Sequence, residues 1–184
     1  MKKHALLFLA ILFAFTTVQA QKKKARNGKS TLFSKTAAES IQAESNSMTS
    51  TLDVTTGAMV FVVPVQSFKF EKSLMQKHFN NAHYMDSKKF PKIKFVGKIT
   101  NLSAVDLSKN GTYNVTVAGN MTIRGTAKPQ TANGTLTVEG GVIKGFAEFT
   151  VKNIGDYGVG KPKNKKKKSN VADNIICKVW VNYK

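Results

Sequence analysis

Regular alternation of apolar and polar residues is the feature that most restricts what this chain can fold into. In residues 92–99 (KIKFVGKI), Ile93 and Phe95 fall on one face of an extended strand and the lysines fall on the other. The same period of two recurs in residues 112–119, 145–151 and 174–184. This pattern is typical of β-strands that have one buried face and one solvated face. We therefore predict a mainly β protein.

Glycine-containing turn signals separate the alternating stretches. Asn-Gly pairs begin at Asn110 and Asn133, and Gly140 is followed by a second glycine. Asn-Gly accepts the positive φ values of tight hairpins, so both pairs predict hairpin turns. Gly119 and Gly125 indicate a bulge, a bend or the end of a strand.

One short helix is predicted, over residues 71–80, with Leu74, Met75, His78 and Phe79 on one side. Roughly eight strands, hairpin turns and a single helix favour an all-β fold. We predict an antiparallel sheet that closes into a barrel, because closure removes exposed strand edges.

The first twenty residues have the pattern of a secretory signal peptide. Lys2 and Lys3 precede an apolar run, which is too short to span a membrane comfortably, and small residues lead up to Ala20. We predict cleavage near Ala20 and a periplasmic or secreted protein. Residues 21–29 are predicted to be a flexible basic tail, and residues 30–184 the barrel domain.

Much of the positive charge is concentrated in two clusters. The chain has a net charge of +19, and the predicted basic tail carries one of the clusters. The second cluster lies in a loop at residues 161–170, ahead of the last strand, and comprises Lys161, Lys163, Lys165, Lys166, Lys167 and Lys168. Such runs are usually solvated. They can also contact an anionic membrane surface or a polysaccharide, whereas a secretory signal argues against nucleic acid as the partner.

No constellation for catalysis or metal binding stands out. The sequence lacks G-x-S-x-G, and the residues around Lys161 do not match a phosphate-binding loop. Cys177 lies in an alternating strand and is predicted to be a small buried side chain. His78 and His83 have a spacing that separates them on a helix. We therefore predict a non-enzymatic protein with no catalytic residue, metal or cofactor.

Two motifs in the central part of the chain resemble the YceI-like family of exported bacterial proteins. The first runs from His78-Phe79 through Tyr84-Met85-Asp86 to KFPKIKF at residues 89–95, and the second is GNMTIRGTAKP at residues 119–129. The resemblance implies an extended lipocalin-like barrel around an apolar cavity, in which some family members bind polyisoprenoid chains or isoprenoid quinones. The Trp-x-[apolar]-Asp-x-x-His-Ser opening of longer members is missing here, which suggests a shorter branch.

The inward residues of such a barrel can form a filled core or line a pocket. The alternating pattern does not distinguish these two possibilities, because both need apolar residues on the inner face. With the resemblance, we expect a barrel that binds a hydrophobic or amphipathic small molecule, an isoprenoid or another lipid. The alternative is a structural or interaction protein of the cell envelope with a filled core. The ligand-binding candidates are the apolar residues predicted to face inward, namely Phe33, Phe61, Ile93, Phe95, Val115, Val117, Met121, Phe149, Val179 and Val181.

Overall fold

The computed structural model describes residues 21–36, 39–160 and 171–184. Within these ranges the chain forms nine strands and one α-helix, α1 (Ser73–Asn80), which follows the fourth strand. The strands are β1 (Lys22–Lys35), β2 (Ser40–Asp53), β3 (Ala58–Pro64), β4 (Lys69–Phe70), β5 (Lys92–Ile99), β6 (Gly111–Ile123), β7 (Thr126–Glu139), β8 (Val142–Val151) and β9 (Ile175–Tyr183). The predicted signal peptide and the lysine-rich stretch 161–170 lie outside the described residues.

Eight of the strands close into an antiparallel barrel. They follow the order β1-β9-β8-β7-β6-β5-β3-β2, and β1 pairs with both β9 and β2, which closes the ring. The two-residue strand β4 is added beside β2. The prediction of a roughly eight-stranded antiparallel barrel with one short helix is confirmed.

The prediction of a flexible tail at residues 21–29 is wrong, because β1 begins at Lys22. Ala25 is 2% exposed and faces inward, while Lys24 and Arg26 on either side are exposed. A register shift then separates Ala25 from Gly28, and Asn27 has a φ of 57°. The inward residues of this half-strand are small, and the bulge breaks the period, so its sequence does not look amphipathic.

The hairpin predicted at Asn133 is also wrong, because residues 133–135 lie inside the continuous strand β7. A Cβ atom at Gly134 would lie 2.9 Å from the Cβ of Ala147 and would collide with the Phe146 carbonyl oxygen. Glycine is required here by the close approach of β8 and not by a turn. The Gly140–Gly141 turn does connect β7 to β8, and both glycines have positive φ values.

One end of the barrel, here called the closed end, is filled by side chains. Leu52 and Tyr183 are fully buried, and Leu136, Val138 and Ile143 are at most 4% exposed. The hydroxyl groups of Tyr183 and Ser50 form a buried hydrogen bond of 2.7 Å. Burial raises the pKa of the Tyr183 phenol, so this group stays neutral.

Helix α1 covers the opposite end of the barrel. It begins at Ser73, two residues later than predicted, and Phe79 packs against Phe68 and Phe70 with ring centroids 5.7 and 4.9 Å away. Leu74 is 61% exposed and does not share the packed face predicted for it. No helix among the described residues is long and apolar enough to cross a membrane.

Candidate functional site

A cavity of about 270 Å³ occupies the barrel between the closed end and α1. Its walls are made mainly of apolar side chains from β1, β3 and β5 to β9. Ala132 on β7 and Ala147 on β8 are among them, and their small side chains leave space in the interior. The barrel is therefore filled at one end and hollow at the other.

The burial of inward residues changes along the barrel axis. At the level of the cavity, Phe61, Val117, Phe149 and Val179 face inward but keep part of their surface accessible. At the closed end, inward residues such as Leu52 have essentially none. Since side chains in a filled core are close-packed, the residual accessibility of the cavity walls reflects unoccupied space.

The structure brings seven of the ten candidate ligand-binding residues to the cavity. These are Phe61, Ile93, Phe95, Val117, Met121, Phe149 and Val179.

Val115 and Val181 also face inward but lie deeper, in the core of the closed end, and do not line the cavity. The prediction that Phe33 faces inward is wrong. Phe33 lies opposite Ile176 of β9, which is 37% exposed on the outer surface, whereas its neighbours Leu32 and Ser34 line the cavity. The inward positions of β1 around Phe33 include serines. The polar residues on the inner face and the aromatic residue on the outer face reverse the usual pattern, which is why the sequence misled the prediction.

The Phe95 ring needs the two glycines that lie beside it. Gly97 on β5 pairs with Gly119 on β6. A Cβ atom at Gly97 would lie 2.6 Å from Phe95 Cζ, and one at Gly119 would lie 2.8 Å from the same atom. Gly119 thus makes room for the ring inside a continuous strand. Phe61 meets Phe95 edge to face, with centroids 6.2 Å apart, which is a favoured arrangement of aromatic rings.

The polar lining residues include a group near the mouth of the cavity. His78 of α1 and Tyr84 of the following loop stack with ring centroids 6.5 Å apart. Glu39 from the β1–β2 connection also lines the cavity, and its carboxylate is 3.8 Å from the ammonium group of Lys72, the residue just before α1. The cavity is therefore mainly apolar, with the exposed polar residues Glu39 and His78 at its edge and two buried serines, Ser30 and Ser34, in its wall.

Arg124 ties together the loops at this end of the barrel. It lies in the β6–β7 turn, and its guanidinium group donates hydrogen bonds to the carbonyl oxygens of Gly158 and Ala82, the latter at 3.0 Å. The same group lies 5.9 Å from the centre of the Phe90 ring. One side chain thus links the β6–β7 turn to the segment after α1 and to the segment after β8.

The titratable groups in the cavity do not form a recognisable catalytic arrangement. Cys177 lines the cavity, and burial raises the pKa of its thiol to about 12, so the reactive thiolate is scarce at neutral pH. Within the described ranges, no three His, Cys, Asp or Glu residues are grouped closely enough to hold a metal ion. That the protein is not an enzyme stays a prediction.

Several lining residues were not among the predicted ligand contacts. Met75, His78 and Phe79 come from α1, Tyr84 and Met85 from the next loop, and Leu32 from β1. The helical spacing of residues 75, 78 and 79 was the available signal for α1. The loop residues had no periodic signal, because a loop follows no fixed alternation.

Comparison with known proteins gives a consistent assignment. The sequence profile of the YceI-like domain matches residues 15–182. UPF0312 proteins from Pseudomonas putida strains W619 and GB-1 are 32% identical over 91 residues. The alignment spans 47% of this chain and 44% of each relative, so the chain spans less than half the length of the curated relatives it matches.

Solved structures share the fold at low sequence identity. A polyisoprenoid-binding domain from Saccharophagus degradans has a TM-score of 0.71 and 9% identity, and the match covers 90% of this chain and 99% of that one. BcnA from Burkholderia cenocepacia has a TM-score of 0.68 and 20% identity, over 84% and 95% of the two chains. The resemblance seen in the sequence motifs is confirmed by the profile match, and the chain belongs to the YceI-like family.

Proposed function

We propose that this protein binds a hydrophobic or amphipathic small molecule, an isoprenoid or another lipid, in the cavity of its barrel. The observation that carries the proposal is the contrast between the two ends of the interior. The closed end is packed, whereas the inward residues around the cavity keep accessible apolar surface. Each methylene group moved from water into such a site contributes about 0.8 kcal/mol, so an apolar chain needs few polar contacts.

The distribution of polar groups favours a ligand with one polar end. Glu39, His78 and Tyr84 lie at the entrance, while Phe61 and Phe95 contribute apolar surface to the walls. The apolar chain of the ligand would lie inside the barrel cavity, and its head group would stay near the mouth. The cavity is close to the lower end of the usual range for ligand pockets, about 300–1,000 Å³. It suits one short chain or one part of a longer chain.

A structural relative supports the ligand class. The Saccharophagus degradans protein with the same fold is described as a polyisoprenoid-binding domain. Its identity to this chain is 9%, so the likeness supports the type of site more than the choice of ligand. The alternative, an interaction protein with a filled core, agrees with the packing of the closed end but does not account for the cavity.

The decisive test is extraction of the purified protein with organic solvent followed by mass spectrometry, with native mass spectrometry of the intact protein in parallel. The proposal predicts a lipid in stoichiometric amount, or saturable binding of an added isoprenoid alcohol such as farnesol. A clean extract, together with no binding of farnesol or of a phospholipid, would contradict it and favour the interaction protein.

We also propose export after cleavage near Ala20, and a contact between Lys165–Lys168 and an anionic head group or surface. The proposed contact with a head group is supported by the position of the lysine run in the chain. Val159 precedes the run and Val171 follows it, and both residues line the cavity. Replacing Lys165–Lys168 with serine should weaken binding of a prenyl diphosphate more than binding of the corresponding alcohol. Equal effects would refute the head-group role, and N-terminal sequencing of the secreted or periplasmic protein tests the cleavage.

A further inference from the structure

One buried serine differs from the others in this protein. Five serines in the described ranges are at most 6% exposed. A buried hydroxyl group is costly unless it forms a hydrogen bond. Four of the five form side-chain hydrogen bonds, namely Ser34 with the Ala172 N–H, Ser45 with the Ser67 hydroxyl, Ser50 with the Tyr183 hydroxyl and Ser87 with the Asn80 carbonyl. The fifth is Ser30, which the cavity does not exclude from its wall.

The Ser30 hydroxyl group faces the cavity without a partner. It forms no side-chain hydrogen bond with any residue in 21–36, 39–160 or 171–184, although the whole residue is 6% exposed. Its oxygen is nevertheless not sealed in by protein atoms, and Ser30 lines the cavity. A buried polar group of this kind in a native protein calls for an explanation. The accessible space beside the hydroxyl is the interior of the cavity.

A β-bulge directs Ser30 into the barrel. Ala25 faces inward, and strict alternation along β1 would then also direct Phe33 inward. The register with β2 shifts between Ala25 and Gly28 and again between Gly28 and Ser30. After these shifts the even-numbered residues face inward. Bulges often re-aim a side chain beside a binding site, and this one turns an aromatic side chain outward and a hydroxyl group inward.

Ser30 lies at the floor of the cavity, where the cavity meets the closed end. It is five residues from the mouth end of β1 at Lys35, or about 17 Å along the strand. At the next inward position, a Cβ atom on Gly28 would contact Met48 and Val181, which both belong to the core of the closed end. The hydroxyl group is therefore far from the polar residues at the mouth.

The surroundings of Ser30 restrict the group that it binds. Leu32 follows it on the inner face of β1, and Val179 lies beside it on β9. No lysine or arginine in the described part of the chain lines the cavity, so a buried carboxylate or phosphate would lose its hydration without compensation. A buried water molecule usually has two to four polar partners, and these apolar neighbours do not supply them.

We propose that Ser30 is a polar subsite, which binds a neutral hydroxyl or carbonyl oxygen at the inner end of the ligand. A serine hydroxyl both donates and accepts hydrogen bonds, so it suits either group. This inference rests on the proposed function and narrows its ligand class. The ligand is an amphipathic chain with its head group near the mouth, an apolar middle beside Phe61 and Phe95, and a second oxygen at the floor.

The test compares two ligands that differ only at the inner end. These are farnesol and ω-hydroxyfarnesol, which carries a second hydroxyl group at the far end of the same chain. Calorimetric titration of the delipidated mature protein gives a Kd for each. Ser30→Ala should weaken the binding of ω-hydroxyfarnesol about five- to a hundredfold, because its inner hydroxyl group then lies buried without a partner. The same change should not weaken the binding of farnesol.

Two further variants serve as controls. Ser47→Ala makes the same chemical change at an exposed position of β2 and should leave both Kd values unchanged. Ser50→Ala should lower the Tm of the delipidated protein, because Tyr183 loses its buried hydrogen bond. Ser30→Ala should not lower the Tm, since the hydroxyl group that it removes is unpaired in the free protein.

The possible failures are distinguishable. If the unchanged protein binds farnesol but Ser30→Ala alters the two Kd values equally or not at all, the role of Ser30 is refuted and the proposed function stands. A fall in Tm for Ser30→Ala as large as that for Ser50→Ala would show a protein partner for the hydroxyl and would also refute it. If the unchanged protein binds neither ligand, the result contradicts the proposed function and this inference together.

Discussion

Enlarging one alanine in the wall of the cavity should change ligand affinity and stability in opposite directions. Ala132 lies on β7, opposite Val117 of β6, and it faces the cavity with part of its surface accessible. The change Ala132→Leu places three more carbon atoms in that space. In a filled core such a change causes overpacking, whereas in a hollow one it replaces empty volume with protein contacts.

The expected size of the effect follows from the carbons that are exchanged. The leucine displaces about three carbons of a bound chain at about 0.8 kcal/mol each, so the affinity should fall by about 2.4 kcal/mol, or about fiftyfold. The free protein should gain about 1 kcal/mol of stability, because part of the new side chain becomes buried. For a chain of this length, that gain corresponds to a rise in Tm of about 2–4 °C.

The assay is fluorescence or calorimetric titration with farnesol, combined with thermal unfolding of the delipidated protein. Ala127→Leu is the matched control, since Ala127 lies on the same strand but is exposed on the outer face. It should leave the affinity for farnesol unchanged. The reasoning is refuted if Ala132→Leu lowers the Tm of the free protein, or if it binds farnesol as tightly as the control does.

Three further predictions concern the interior. Gly119→Ala should cost at least about 1–3 kcal/mol of stability and weaken farnesol binding, because the new methyl group collides with the β5 backbone at Val96 and Gly97 and with the Phe95 ring. An unchanged Tm and Kd would contradict this. Tyr183→Phe should cost about 1–3 kcal/mol in urea unfolding, because the buried Ser50 hydroxyl loses its partner, and adding Ser50→Ala should recover most of the loss; an additive double variant would argue against it. Burial raises the pKa of Cys177 from 9.0 to about 12. Above about pH 9, the unfolded state therefore releases a proton that the folded state keeps. The free energy of unfolding should fall as the pH rises towards 12. Urea unfolding at several pH values should show that the free energy of unfolding falls less steeply with pH for Cys177→Ala than for the unchanged protein. Parallel falls in the two proteins would exclude Cys177 as the cause.

Alternation predicted the barrel well where one face of a strand is clearly apolar. In β5 and β9 most inward residues are hydrophobic, so the pattern alone reveals both the strand and its buried face. The first half of β1 did not show this signal. Ala25 and Gly28 face inward there, and lysines lie around them. In that segment β1 is held by pairing with β2 and by backbone hydrogen bonds between Lys24 and Lys184. Such pairing leaves little trace in the local sequence.

Glycine was the residue type most easily misinterpreted. Gly119 and Gly134 lie in continuous strands and not in turns, and each makes room for a group on a neighbouring strand. Gly119 accommodates the Phe95 ring, and Gly134 allows the approach of β8. A local sequence pattern reports φ and ψ preferences, but it does not report which strand lies alongside. The reason for these glycines therefore depends on the register of the sheet.

The candidate site depends on a coordinate that alternation does not contain, namely depth along the barrel. Val117 and Val115 are two residues apart on the inward face of β6, yet the first lines the cavity and the second lies in the packed core. Period two assigns both to the interior and treats them alike. What separates them is the set of opposing side chains at each level. The neighbours on β7 do not separate them, because Val117 lies beside Ala132 and Val115 beside the still smaller Gly134. Val115 instead belongs to a packed cluster with large side chains from other strands, among them Leu52 and Tyr183. A hollow barrel and a filled one can therefore share one alternating pattern, and the sizes of the inward side chains that meet in the interior at each level decide between them.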